Sequence, residues 1–319
     1  MLVKPFRNTF PIHYVVFLVL AIIYQLPMLL NVKFLHISAP SDKSLFWNWI
    51  SSGNNIVISI VAMVILLLCV FLTIVTSQNN SLITKTSSLP AAVFIFLSAF
   101  RMLTPEMFAA VLIFLCLYRI METVNESAYR ELDFLSAGTM VGLACLLTPN
   151  ALYYIFIILI SMFILRITNI RYIFLIILGF GLPMFFYAIA LTFTGQLALF
   201  IPSLTPDYTF ANIAITSLSS HGENTYYILY LAIAVIAILM TFPKIPSMTL
   251  SLREKYLIII FSAFIALASS FFNNNCTSFL LLSVPPMTFI LAFFLSEIKP
   301  FWETLLSILI LMMPLFLFL

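Results

Sequence analysis

Between residues 54 and 76 the chain reads NNIVISIVAMVILLLCVFLTIVT, and no charged side chain interrupts it. A second such run, YIFLIILGFGLPMFFYAIALTF, occupies residues 172–193, and others follow each other along the whole chain. An apolar run of about 18 residues or more is long enough to cross the hydrocarbon of a bilayer as a helix. Hydrocarbon offers backbone amides no water, so a spanning chain must satisfy them internally, as helices or as a closed barrel. Barrel strands alternate apolar and polar residues; these runs are continuously apolar, which excludes the barrel. Composition agrees, since the chain is 63% hydrophobic and 8% charged. A soluble domain carries roughly a quarter charged residues, so no water-soluble fold is compatible with these figures. The fold class expected is all-α, a polytopic helical membrane protein.

Polar, Pro and Asn clusters divide the chain into eleven segments, at 12–31, 54–76, 89–103, 107–121, 134–148, 150–165, 172–193, 224–242, 256–272, 276–296 and 303–319. No linker or insert between them is long enough to fold by itself, so residues 1–319 are expected to form a single integral membrane domain. The N-terminus, MLVKPFRNTFPIHYVVFLVLAIIYQLPMLL, has basic residues ahead of a full span and no small-x-small cleavage site. It reads as a retained first helix. Basic residues then fix the orientation, because Lys and Arg accumulate on the cytoplasmic side. With a cytoplasmic N-terminus that side holds Lys4, Arg7, Lys85, Arg119, Arg130, Arg166, Arg171, Lys244, Arg253, Lys255 and Lys299, leaving Lys33, Lys43 and Arg101 outside.

Several function classes drop out. A net charge of +3, dispersed along the chain, gives no nucleic-acid footprint. Cys69, Cys116, Cys145 and Cys276 stand singly in or beside apolar stretches, which is packing chemistry. There is no phosphate-cradling glycine loop, no metal-ligand spacing and no G-x-S-x-G elbow. No acid or base falls at the centre of a helix, which weakens a proton-coupled transporter or pump; a lipid or solute carrier stays as a third reading, one that requires a through-path of polar groups where none is visible.

Polar chemistry instead gathers at the predicted outer face. RMLTPEM, residues 101–107, reads as a tight hairpin in which Thr104 is an N-cap, Pro105 opens a helix and Glu106 sits in its first turn. Thr148 and Pro149 occupy equivalent places in LLTPNA, and SLTPDY repeats the pattern with Thr205, Pro206 and Asp207. Segments three to six are short. About fifteen residues rise roughly 22 Å, less than the ~30 Å apolar core, so their ends are expected to line a recess. The alternative is that Arg101 and Glu106 merely snorkel to headgroups. Asp42, Lys33, Lys43, Asp207, Glu223, His36 and His221 complete the outer inventory. The stretch LFWNWI suits the membrane surface, and Ser220 with Glu223 forms a capping box. On the inner side, Glu126 and Arg130 are spaced i,i+4, as in a solvated helix end. The run NNN, residues 273–275, is expected to turn the chain and cap the next helix.

FRNTFPIHYVVFLVLAII, SQNNSLITKTSSLPAAVFIFLSAF and the long stretch from LCLYRIMETVNES to LIILGFGLP resemble an uncharacterised family of polytopic bacterial inner-membrane proteins, a domain of unknown function. That resemblance implies a bacterial inner membrane and supplies no activity. SAGTMVGLACLLTPNALYYIFIILISMFIL is also similar to the middle helices of GT-C membrane glycosyltransferases, which use polyprenyl-phosphate-linked sugars. Such enzymes begin inside, place a catalytic acid in the first outer loop and often another near the third-to-fourth helix hairpin. Asp42 and Glu106 fall in comparable places. This chain departs from that pattern in its short first outer loop, in having Asp42 where paired acids are usual, and in showing no soluble C-terminal domain.

Two readings follow. In the first, the chain is a GT-C-like transferase at the outer face, with Asp42 and then Glu106 as general base or metal ligand for the acceptor hydroxyl. Arg101, Lys33, Lys43 and outward helix N-termini would neutralise the departing lipid phosphate, with Asp207 and His221 as further substrate-binding groups. No cofactor is evident, although a transferase would admit a divalent metal ion. In the second, the chain is a non-catalytic subunit or scaffold of an envelope-assembly or secretion complex. Expected partners are membrane lipid, a polyprenyl-phosphate-linked sugar or other membrane subunits, and no nucleic acid.

Overall fold

The structure is a computed structural model that describes residues 6, 10–29, 55–83, 87–98, 105–125, 131–193, 195, 197–201, 222–270 and 276–316. Among the described residues it contains eleven α-helices of ten residues or more and no strand. They are α1 (Pro11–Leu29), α2 (Asn55–Asn79), α3 (Leu89–Ser98), α4 (Pro105–Asn125), α5 (Glu131–Leu147), α6 (Tyr154–Ile164), α7 (Ile170–Phe193), α8 (Gly222–Thr241), α9 (Leu250–Ser270), α10 (Cys276–Glu297) and α11 (Pro300–Phe316). Each overlaps one of the eleven segments expected from the sequence. Among the described residues four stretches are long and apolar enough to cross a membrane: Ile60–Asn79, Pro105–Asn125, Ile170–Phe193 and Ile228–Ser247.

The expectation of uniformly short helices from the third to the sixth needs correction. α4 has 21 residues and α5 has 17. Their polar inner ends, RIMETVN and ELD, continue the helix past the apolar run, and the apolar run alone had set the expected limits. Pro105 opens α4 and Glu106 lies in its first turn, as expected. Thr148 departs from expectation. Its backbone is extended and Pro149 follows it, but the side chain caps no amide of the 3₁₀ turn Pro149–Tyr153. The hydroxyl instead donates back to the Ala144 carbonyl at 3.4 Å. Thr148 therefore does not act as the side-chain cap expected of it, while Thr104 of the first Leu-Thr-Pro element and Thr205 with Asp207 of the third lie outside the described residues.

Side-chain contacts establish that the helices alternate in direction. Ser88 at the start of α3 bonds His13 near the start of α1 at 2.8 Å. The ends of α2 and α4 meet through Asn80 and Asn125 at 3.2 Å, and the α9 start joins them through Lys255 and Asn80 at 3.1 Å. Arg119 near the end of α4 lies 3.7 Å from Asp133 in the first turn of α5, whose Glu131 pairs with Arg171 of α7 at 2.9 Å. Lys244, just after α8, pairs with Glu297 at the end of α10 at 3.3 Å. These contacts share one end of the bundle, labelled inner after the side that the charge bias assigns it. The described basic residues Arg119, Arg166, Arg171, Lys244, Arg253, Lys255 and Lys299 all belong to this end.

α10 is the axis of the bundle, packed by α3, α4, α8, α9 and α11. Every residue of α3 is buried. Phe94 of α3, Phe114 of α4 and Phe289 of α10 interlock edge to face, with ring centroids 5.4 and 6.2 Å apart. Such contacts add to area burial. Two inner-end turns, after α2 and α6, close with left-handed residues, Ser81 at φ 52° and Arg166 at φ 57°. In each, the next amide reaches five residues back, Leu82 to Ser77 and Ile167 to Met162, which is the Schellman closure.

α7 lies at the periphery and packs against α5, the closest helix pair in the bundle. Glycine makes the approach possible. A Cβ on Gly138 would sit 2.6 Å from the Ile176 carbonyl oxygen, one on Gly142 2.8 Å from that of Phe180, and one on Gly179 2.3 Å from that of Leu135. Gly138 and Gly142 are four apart, the small-xxx-small spacing by which helices in lipid bring their backbones together. Gly181, two residues on from Gly179, faces open space. Gly179→Ala should therefore destabilise the protein by about 1–3 kcal/mol through backbone overpacking. Gly181→Ala should be neutral or stabilising by up to ~1 kcal/mol through helix propensity. Thermal unfolding of both variants in one detergent compares them directly, and equal melting temperatures would refute the packing account.

Candidate functional site

The site begins with a defect in the axial helix. α10 contains Pro285 and Pro286 in mid-helix. A proline has no amide hydrogen, and its ring also presses on the carbonyl four residues back, so Pro286 deprives the Leu282 carbonyl of its helical donor. Elsewhere water would fill that vacancy; in an apolar interior another group must. Tyr154, the first residue of α6, supplies it, its buried hydroxyl donating to the Leu282 oxygen. Tyr230 of α8 meets the next residue, Ser283, hydroxyl to hydroxyl at 2.8 Å. Thr288 follows on the same helix, donating to the Val284 and Pro285 carbonyls at 2.7 Å each. One turn before Tyr230, Tyr226 stacks on it at 6.3 Å and donates to the Leu97 carbonyl of α3. Three buried tyrosines thus tie α6 and α8 to α10, and α8 to α3, in the predicted outer half of the bundle.

Glu106 belongs to the same end, in the first turn of α4, itself packed on α10. It is 4% exposed. A carboxylate so enclosed does not snorkel to headgroups, so that alternative is overturned for Glu106. Pro105 and Met107 are buried on either side, which draws the first turn of α4 into the bundle. The helix dipole favours an anion at this position. Asn150 in the 3₁₀ turn and Ser98 at the end of α3 are further buried polar groups of this end.

The other expected site residues cannot be joined to Glu106 by geometry. Asp42, Arg101, Lys33, Lys43, Asp207 and His221 lie outside the described residues. The same holds for LFWNWI, Ser220, Glu126 with Arg130, and Asn273–Asn275. Among the described residues no three His, Cys, Asp or Glu side chains come together as metal ligands. Cys69, Cys116 and Cys145 are buried free thiols, consistent with packing.

A second polar cluster, at the inner end, was not singled out in the sequence. Lys255 is 3% exposed and donates to the Asn80 carbonyl at 3.1 Å and to the Asn125 amide oxygen. Asn80 in turn donates to the Thr76 carbonyl at 3.1 Å, and Tyr256 to that of Leu82 at 2.7 Å. Three helix ends are clamped here, by the Asn80 and Asn125 side chains and the Asn80 carbonyl. Phe94, Phe114 and Phe289, all fully buried, lie between this cluster and the tyrosines. Buried polar chemistry is therefore split between two ends.

The Tyr154 bond gives a direct prediction. Tyr154→Phe keeps the ring but leaves the Leu282 carbonyl without its donor, at a cost of about 1–3 kcal/mol. Tyr14→Phe, on an exposed face of α1, should cost nothing measurable. Thermal unfolding in detergent separates the two, and an unchanged midpoint for Tyr154→Phe would show that this hydroxyl does not serve the kink.

Comparison with curated proteins and with solved structures finds no match. Residues 44–319 match a family described as "Family of unknown function (DUF6427)". That match covers most of the chain, across ten of the eleven helices and both polar clusters, and the chain belongs to this family.

Proposed function

We propose that the protein is a multi-pass enzyme of the bacterial inner membrane that transfers a sugar from a polyprenyl-phosphate carrier at the outer face. The observation that carries this reading is the burial of Glu106 in the first turn of α4, at the end of the bundle where hydroxyls cluster. A buried carboxylate between spanning helices is costly to retain and is a functional candidate for that reason. One-sidedness is the second support. Phe94, Phe114 and Phe289 fill the middle of the bundle, which suits chemistry at one face better than passage of a solute through both.

In this reading Asp42, with Glu106 second, accepts the proton of the acceptor hydroxyl. The freed oxygen attacks the anomeric carbon as its bond to the carrier phosphate breaks, and the lipid phosphate leaves with the bonding pair. Arg101, Lys33 and Lys43 offset the charge on that phosphate, and Asp207 and His221 bind the substrate. A divalent metal ion at this site would need donors from outside the described residues, such as Asp42, so no step is routed through one.

A second reading is favoured by α7. It is attached mainly through α5, and Phe174, Phe185, Phe186 and Phe193 are all exposed along it. That face suits a further membrane subunit, as in a non-catalytic member of an envelope-assembly or secretion complex.

Turnover by purified protein of a panel of polyprenyl-phosphate sugars tests the enzyme. Asp42→Asn or Glu106→Gln should each lower kcat about a hundred-fold or more, with melting temperature unchanged. Full activity in both variants would remove the assignment. No turnover, with a stoichiometric partner co-purifying, would support the second reading.

A further inference from the structure

At the inner end, the last turn of α2 closes in a way that leaves oxygen over. Ser81, at φ 52°, stops the helix, and the amides of Ser81 and Leu82 turn back to the Gln78 and Ser77 carbonyls at 3.2 and 3.1 Å. That closure satisfies two of the last carbonyls and leaves that of Asn80 for a side chain. Lys255 of α9 reaches it at 3.1 Å and donates also to the side-chain oxygen of Asn125, the last residue of α4. The two asparagines are joined, Asn125 Nδ2 donating to Asn80 Oδ1 at 3.2 Å. In the same turn of α2 the buried hydroxyl oxygens of Thr76 and Ser77 have no hydrogen-bond partner.

The occupant of this oxygen cluster is a cation held by neutral groups. Lys255 is 3% exposed and in no ion pair among the described residues, while Glu122, toward the same end of α4, is taken by Arg119 at 3.3 Å. α2 has no charged side chain along its length. The favourable charge comes from the backbone, because α2 and α4 both end here and a helix C-terminus is the negative end of its dipole. An ammonium has three N–H donors and no acceptor, so it uses oxygen lone pairs alone. Carbonyl oxygens are also the ligands that replace the hydration shell of an alkali ion. Asn125 is exposed, which gives the cluster an edge on solvent.

We infer that the converging ends of α2 and α4 form a monovalent-cation site of neutral oxygens, which the protein fills with its own Lys255 ammonium and which takes a sodium or potassium ion when that ammonium is removed. The tethered charge gives α2, α4 and α9 a common fastening that does not depend on the salt around it. The inference rests on the packing of these helix ends and not on the transferase chemistry.

Thermal unfolding in detergent, in sodium, potassium or choline chloride at the physiological ionic strength of about 0.15 M, tests it. Wild type should melt at one temperature in all three salts and in sodium gluconate. Lys255→Ala should melt lower than wild type in choline and recover by about 3 °C or more, saturably, in sodium or potassium. Lys255→Ser is an independent opening variant. Adding Asn125→Leu should remove the recovery. Adding Glu126→Gln, next to Asn125 in sequence, should leave it, because the ligands are neutral. No recovery in either opening variant, failure to fold included, would overturn the inference. So would a recovery lost with Glu126→Gln, or a wild type stabilised by chloride over gluconate, which would assign an anion to Lys255.

Discussion

A peptide group in an apolar interior must find its hydrogen-bond partner within the protein, and the architecture follows from that demand. Regular helix meets it locally. Where the axial helix cannot, at Pro285 and Pro286, a tyrosine from a helix far away in sequence replaces the missing amide. The substitution has a structural consequence: the first residue of α6, a helix that packs mainly on α9, is tied to α10 at the Leu282 carbonyl. α8 is tied to the same place by Tyr230 and Ser283.

The buried polar groups are sorted by end. The outer half holds tyrosine hydroxyls and Glu106; the inner end holds a lysine enclosed by asparagines; interlocked phenylalanines separate the two. A path open from end to end would require polar groups in the middle section. Among the described residues Phe94, Phe114 and Phe289 occupy much of that section, where Ser262 and Thr288 bond carbonyls of their own helices. Helix association follows another rule, because lipid gives no hydrophobic drive to bring helices together. α5 and α7 meet through bare backbone at Gly138, Gly142 and Gly179, where close approach replaces apolar burial as the source of contact.

Much of this was legible in sequence, for physical reasons. Long apolar runs favour helix over any other structure, which is why each of the eleven segments overlaps one of the eleven described helices, four of which include stretches long and apolar enough to cross a membrane. The inner ends were misjudged because RIMETVN and ELD are polar yet helical, and hydropathy stops where apolarity stops. Glu106 was correctly placed in a first turn, but its burial depends on α10, which no local pattern reveals. Lys255 was counted as one more cytoplasmic charge; its enclosure depends on Asn80 and Asn125, 175 and 130 residues away. The SAGTMVG spacing of Gly138 and Gly142 was visible, but its partner Gly179 follows only from the packing of α5 on α7.

Sidedness tests the account most directly, because the outer chemistry and the inner clamp both depend on it. In a protein whose four cysteines are replaced, single cysteines at Ala198 and Ser247 mark the ends where α7 finishes and α8 finishes. A membrane-impermeant maleimide applied to intact cells should label Ala198→Cys and reach Ser247→Cys only after the membrane is opened. Labelling of both from the same side, or in the reverse order, would contradict it.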